Sequence, residues 1–311
     1  MLLELSDIRD LQMLHFFVFF AVYLTAVTGN LLIILAVSLD HHLHTPMYFF
    51  LMNLAILDLG SVSVMVPKAM ANSLMNSRSI SYSGCVAQVF CLVLFLGADL
   101  AILTVMAYDR YVAICNPLQY ETIMHKDACI QMAVSAWIVG ILNGMLHTWG
   151  TFAITFCSNM IDQLFCEIPQ MLKLACSDMY LVEVGFVMFS CSLALGCFIF
   201  IIVTYLQIFA AVLRIPSVRA QKKAMSTCLP HLTVVSLFVF SGIFAYVRPH
   251  RYSSSILNAL FAIIYAVVPP LLNPFIYSMR NTEIKTALLK LSNCGHFPKI
   301  FPSKAFLQKL G

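Results

Sequence analysis

Of the 311 residues, 61% are apolar and only 10% carry a formal charge, against about 25% in an ordinary soluble domain. The net charge is +4 and the mean hydropathy +0.89. So few charges cannot cover a water-facing surface, which excludes a soluble protein and, by the same argument, a disordered chain.

A helix needs about 20 apolar residues to cross the hydrocarbon core, and the gaps between formal charges supply seven such stretches. They predict helices at about 13–39, 46–70, 85–114, 128–150, 184–212, 223–247 and 253–279, with a long loop between the fourth and fifth. An odd number of crossings puts the termini on opposite faces. With the C-terminal tail taken as cytoplasmic, that face holds twelve Lys and Arg, including Arg110, Lys126, Lys222 and Lys223. The other face holds six: Arg9, Lys68, Arg78, Lys173, Arg248 and Arg251. The bias predicts an outer N-terminus. The first ten residues carry three acids and one Arg, so no cleavable signal peptide is expected, and the absence of an Asn-x-Ser/Thr sequon predicts no glycan. No linker or fixed-period repeat divides the chain, which reads as one all-α membrane domain over 1–291 followed by a tail over 292–311.

Four cysteines fall on the outer, oxidising side: Cys85 at the start of the third helix, and Cys157, Cys166 and Cys176 in the long loop. Of their three pairings, the favoured one joins Cys85 to Cys166 and Cys157 to Cys176. Ionisable groups at membrane depth usually mark function. At about 1.5 Å per residue, Asp58, Asp99 and Asn30 lie roughly 15 to 18 Å from the cytoplasmic end of their helices, and Asn273 roughly 10 Å. Four helices thus place polar groups in one slab, where two carboxylates would attract Na⁺ or share a proton; the alternative is a hydrogen-bonded cluster that only joins helices. Pro269, Pro270 and Pro274 interrupt the seventh stretch and Pro230 the sixth, which suits helices that pivot between two states.

The run Met106-Ala107-Tyr108-Asp109-Arg110-Tyr111-Val112-Ala113-Ile114-Cys115-Asn116-Pro117-Leu118 is far more specific than a bare Asp-Arg-Tyr. It stands in order with Pro46-Met47-Tyr48-Phe49-Phe50-Leu51, Lys223-Ala224-Met225-Ser226-Thr227-Cys228 and Pro270-Leu271-Leu272-Asn273-Pro274-Phe275-Ile276-Tyr277. Together they resemble the olfactory receptors, a branch of the rhodopsin-like G-protein-coupled receptors. The resemblance runs from Gly29-Asn30 to Arg280-Asn281. It implies a seven-transmembrane bundle that binds small, mostly volatile organic molecules and drives nucleotide exchange on a stimulatory olfactory-type Gα, at the plasma membrane of olfactory cilia. It also implies that Asp109, Arg110 and Tyr111 form the G-protein switch, with Arg110 held near the sixth helix in the silent state. Asn273, Pro274 and Tyr277 would be the hinge, and 281–291 a membrane-surface helix with Ile284, Leu288 and Leu291 on one face. Cys294 is a candidate for palmitoylation.

The chain departs from the family's pattern in four places. Asp99 stands where Glu is usual, Phe238-Val239-Phe240 replaces Phe-Tyr-Gly, Pro230 precedes His231 in place of Ser, and the N-terminal segment lacks the usual sequon. Helical spacing nominates Leu92, Val93, Leu96 and Gly97 of the third helix for the ligand pocket, facing Val239, Gly242, Ile243, Tyr246, Ile263 and Ala266. With no acid at Leu92, the expected ligand is apolar or weakly polar and fixed by one or two hydrogen bonds. A retinal photoreceptor is excluded because residues 252–279 contain no Lys. His15, His147 and His231 show no metal-ligand spacing, so neither an enzyme nor a resident metal is expected, and nothing points to nucleic acid. The competing readings are an ion channel or transporter, and a receptor-like chain that does not signal.

Overall fold

The structure, a computed structural model, describes residues 9–75, 80–157, 165–172, 174–177, 179–247, 263–264, 266–279 and 282–293. Its long helices are α1 (Arg9–Leu39), α2 (Pro46–Met75), α3 (Tyr82–Cys115), α4 (Lys126–Phe152), α5 (Tyr180–Leu213), α6 (Val218–Val247), α7 (Val268–Met279) and α8 (Thr282–Asn293). The first six, of 27 to 34 residues, are long and apolar enough to cross a membrane. α7 packs on α1 and α2 and completes a seven-helix bundle. Residues 253–262, Arg280, Asn281 and the tail from Cys294 lie outside the described residues, as do the side chains of Pro230, Tyr246, Tyr277 and Leu291.

The bundle is built with its polar groups inside. Asn30, Asp58, Asp99, Asp109, Arg110, His147, Glu183, His231 and Asn273 are all buried, while Leu, Ile and Phe side chains cover the outer faces, most densely on α5. This arrangement suits lipid, where an apolar exterior costs nothing and a buried polar group must find a partner among its neighbours. Close approach between α3 and α4 depends on glycine. A side chain at Gly140 would meet Leu94 O at 2.6 Å and the Ala98 methyl at 2.9 Å, and one at Gly144 would meet Phe90 O at 3.0 Å. Small residues of this kind let helix backbones pack directly, and dispersion does the rest.

Several boundaries differ from the charge-gap expectation, each for a physical reason. α5 begins at Tyr180, four residues before the expected 184, because Glu183 is not an interfacial charge on the outer face but is fully buried against His147. α6 begins at Val218, five residues before 223, since a helix can extend into water on the exposed Arg219 and Lys222. α2 continues past Pro67 to Met75. The loop after α3 holds a 3-10 turn at Pro117–Gln119 and a short helix at Tyr120–Ile123; the outer loop holds another at Ile168–Leu172.

Capping fixes the turns. Proline opens α2 at its first position, where its missing N–H costs nothing. The Gly84 N–H donates to Ser81 Oγ at 3.0 Å and starts α3, and Asp40 accepts from the His42 N–H to start the 3-10 turn His41–Leu43. The Lys290 ammonium of α8 donates to Asp40 at 3.0 Å and, with the His42 N–H, holds that carboxyl below its ordinary range. Tyr48 Oη donates to Glu283 at 2.7 Å, so α8 is tied to both the first turn and α2.

Candidate functional site

The four polar residues grouped by helical depth are all buried. Asn273 Nδ2 donates to Asp58 Oδ2 at 2.8 Å, linking α7 to α2, and Asn30 Nδ2 donates to the carbonyls of Ala26 and Pro270 at 2.9 and 3.0 Å. Asp99 lies near enough to Asp58 for the two carboxylates to feel each other's charge. One oxygen of each of the four side chains, Asn30 Oδ1, Asp58 Oδ1, Asp99 Oδ1 and Asn273 Oδ1, is buried without a hydrogen-bond partner. Each such atom is costly unless something satisfies it. Four unpartnered side-chain oxygens, two of them from acids, are donors of the kind a hard cation selects. Among the described residues no group of three His, Cys, Asp or Glu forms a metal site. Pro274, beside Asn273, packs into the space left by Gly29, where a side chain would approach it to 2.7 Å.

At the cytoplasmic end of α3, Asp109 and Arg110 are both buried. Asp109 does not depend on its neighbour alone, because Tyr120 Oη donates to its Oδ1 at 2.8 Å. Burial, and then that carboxylate, keep the Tyr120 phenol protonated above its ordinary range. The Arg110 guanidinium faces the Tyr205 hydroxyl on α5 and the Cys228 thiol on α6. Tyr205 Oη also lies 2.8 Å from Nδ1 of His231, so one chain of polar contacts crosses α3, α5 and α6. Tyr111 packs, half-buried, against the central apolar core.

The residues nominated for the ligand pocket divide. Leu92, Leu96, Ile263 and Ala266 share one apolar cluster with Phe165 of the outer loop and Phe19 of α1. Val93 belongs to a neighbouring cluster with Val89, Ile168 and Met171 beneath the loop. The disulfide Cys85–Cys166, with Cα atoms 5.5 Å apart, ties that loop down on α3. Cys157–Cys176 closes the loop on itself, reinforced by Cys157 N–H to Leu174 O and Cys176 N–H to Thr155 O, each at 2.9 Å. Gly97 instead faces α4, where a side chain would meet Asn143 Nδ2 at 3.4 Å. Val239 and Ile243 pack in the central core shared with Leu103 and Met106, and Gly242 points into open space. A cavity of about 660 Å³ beside them takes in Phe240, Ser241, Phe244 and Ile264, on the exposed flank of α6.

A profile of the family described as "Olfactory receptor" matches residues 19–293 of this bundle. The chain belongs to the olfactory receptor family. It is similar to human olfactory receptor 14I1, with 49% identity over 99% of this chain and 97% of that one. Human olfactory receptors 14A16 and 14J1 are 48% and 47% identical, over 92% and 96% of this chain and 93% and 94% of theirs. The protein is thus a multi-pass membrane odorant receptor of the G-protein-coupled class.

Sequence reasoning missed a second polar network in this receptor. His147 Nδ1 meets Glu183 Oε1 at 2.6 Å, His147 Nε2 meets Ser190 Oγ at 2.9 Å, and Ser190 Oγ donates to Asn143 Oδ1 at 2.9 Å. Two signals were available. Glu183 stands near the start of a long apolar run, and His147 and Asn143 are spaced four apart, on one helix face. Neither identifies the partner, since the contact joins residues 36 apart in sequence. Tyr120 and Tyr205, which engage Asp109 and Arg110, likewise read as ordinary aromatics in the sequence.

Proposed function

We propose that this receptor binds a small apolar or weakly polar organic ligand in the outer half of the bundle and activates a stimulatory olfactory-type G protein through Arg110. The observation that carries this reading is the single apolar cluster joining Leu92 and Leu96 of α3, Phe165 of the loop, and Ile263 and Ala266 beside α7. A volatile molecule entering there would find apolar walls and a lid pinned by a disulfide. Leu92 and Arg110 sit on the same helix, 18 residues and roughly 27 Å apart, so a displacement of α3 at one end is transmitted to the other. The basic bias puts the N-terminus outside and the tail, with α8, in the cytoplasm. Ciliary placement follows the family.

Asn30, Asp58, Asp99 and Asn273 are the residues that would hold Na⁺, whose single charge would offset one of the two acids at membrane depth while the other keeps its proton. Their four unpartnered oxygens support that assignment. Losing such an ion would free α2, α3 and α7 to shift against one another.

The test is a panel of small odorants applied to cells that carry the tagged receptor at their surface with an olfactory-type Gα and a cAMP reporter. An agonist should raise cAMP, and Leu92→Trp or Ala266→Phe should abolish the response without removing the receptor from the surface. A response unchanged in both variants places the ligand elsewhere, and cation flux without Gα would favour a channel.

A further inference from the structure

His41, His42 and His44, clustered in the first turn, take no part in the function proposed above. His44 lines a groove of about 660 Å³ between that turn and the adjoining ends of α1, α2 and α4. The floor is apolar, formed by Leu43, Phe49, Met52, Met124 and Cys129. Among the described residues the two basic groups in the lining are His44 and Lys126, and none in the lining is acidic. The His41 ring stands edge-on to His44 at 5.0 Å, adding a second imidazole behind the first. Asp40, the acid beside them in sequence, is engaged by Lys290, and Asp127 is exposed and outside the groove.

The groove lies on the flank of helices that cross a membrane, and Ile130 at its edge is 40% exposed, so the medium at its mouth is lipid. An apolar trough with a basic rim at the end of a membrane helix fits one kind of occupant. A sterol would fill the trough and leave Lys126 and His44 unused, while a choline headgroup would bring its own positive charge toward Lys126. An anionic phospholipid satisfies both parts, because its chain replaces exposed apolar surface and its phosphate meets Lys126 and His44. We propose that this groove seats one acyl chain of an anionic phospholipid from the leaflet bordering the first turn, with its phosphate held between His44 and Lys126. The proposal needs a membrane-spanning chain but not the ligand or the G protein assigned above.

The receptor is reconstituted in phosphatidylcholine nanodiscs doped with a trace of phosphatidylserine or phosphatidylcholine bearing a photoreactive acyl chain, and the labelled peptides are identified by mass spectrometry. Phosphatidylserine is expected to label the segments around Phe49–Met52 and Cys129–Ile130 about fivefold more than phosphatidylcholine, the preference a basic residue near the surface confers. Replacing Lys126→Ala and His44→Ala together should bring the two lipids level, and Ile130→Trp, which fills the trough from its edge, should reduce labelling by both. If the alanine pair does not assemble as a monodisperse receptor, Lys126→Gln with His44→Gln makes the same comparison. Equal labelling of the wild type by both lipids would overturn the proposal. So would displacement of phosphatidylserine by equimolar cholesterol, or labelling that is indifferent to the basic residues.

Discussion

Nδ1 of His147 lies 2.6 Å from Oε1 of Glu183, across the outer contact of α4 and α5, with both side chains buried. Proton bookkeeping then constrains the network. Ser190 gives its hydroxyl proton to Asn143, so the contact between Ser190 Oγ and His147 Nε2 requires a proton on the nitrogen. One proton remains between Nδ1 and Oε1, and the pair is neutral overall whichever atom carries it. Replacing His147→Leu strands the carboxyl in an apolar site and should cost about 3 kcal/mol. Glu183→Gln keeps a group able to hydrogen-bond and should cost about 1 kcal/mol. Thermal melting of the solubilised receptor distinguishes them, and equal losses would argue against a shared proton.

The α3–α4 seam makes a second prediction. Because a methyl at Gly140 would run into the backbone carbonyl of Leu94, Gly140→Ala must push two helices apart. The expected cost is about 1 to 3 kcal/mol, read as a lower melting temperature and reduced surface expression. Gly185→Ala and Gly196→Ala on α5 meet nothing within 4 Å and should be neutral or slightly stabilising. A Gly140 variant as stable as these two would show that the helices do not touch there.

The disulfides should differ in weight. Cys85–Cys166 spans 81 residues and Cys157–Cys176 spans 19, so chain entropy assigns about 4.5 and about 3 kcal/mol respectively. Cys166→Ser is expected to abolish surface delivery, whereas Cys176→Ser, which leaves the loop anchored on α3, should only reduce it. Flow cytometry of an N-terminal tag on intact cells gives the ranking, and a reversed order would contradict this account.

At the cytoplasmic end of α3, Arg110→Ala should eliminate Gα nucleotide exchange with surface levels retained. Tyr205→Phe removes one hydroxyl facing that guanidinium without altering packing, so agonist-driven cAMP should change severalfold and expression should not. If Arg110→Ala cells still signal at normal surface density, the guanidinium is not the coupling element.

How much of this was legible in the sequence depends on range. Apolar length alone located the six described helices long enough to cross a membrane, and depth alone grouped Asn30, Asp58, Asp99 and Asn273, because 1.5 Å per residue is a property of any α-helix. Rotation about the helix axis was harder to read. Gly97 was assigned to the pocket by its height, yet it faces Asn143, since the small residues of α3 turn toward whichever helix comes closest. The start of α5 was misjudged because a formal charge was taken as a boundary, and Glu183 escapes that rule through a partner on another helix. Charge pairing over long sequence separation leaves no local trace.

The contact between Asp109 and Tyr120 carries a consequence for how the receptor would be grasped from below. The phenol comes from the short helix Tyr120–Ile123, so the loop after α3 and the acid at the foot of α3 form one mechanical piece. A protein that tugs on that loop would withdraw the hydroxyl and alter the field beside the guanidinium without ever touching it. Handle and latch are joined by a single hydrogen atom.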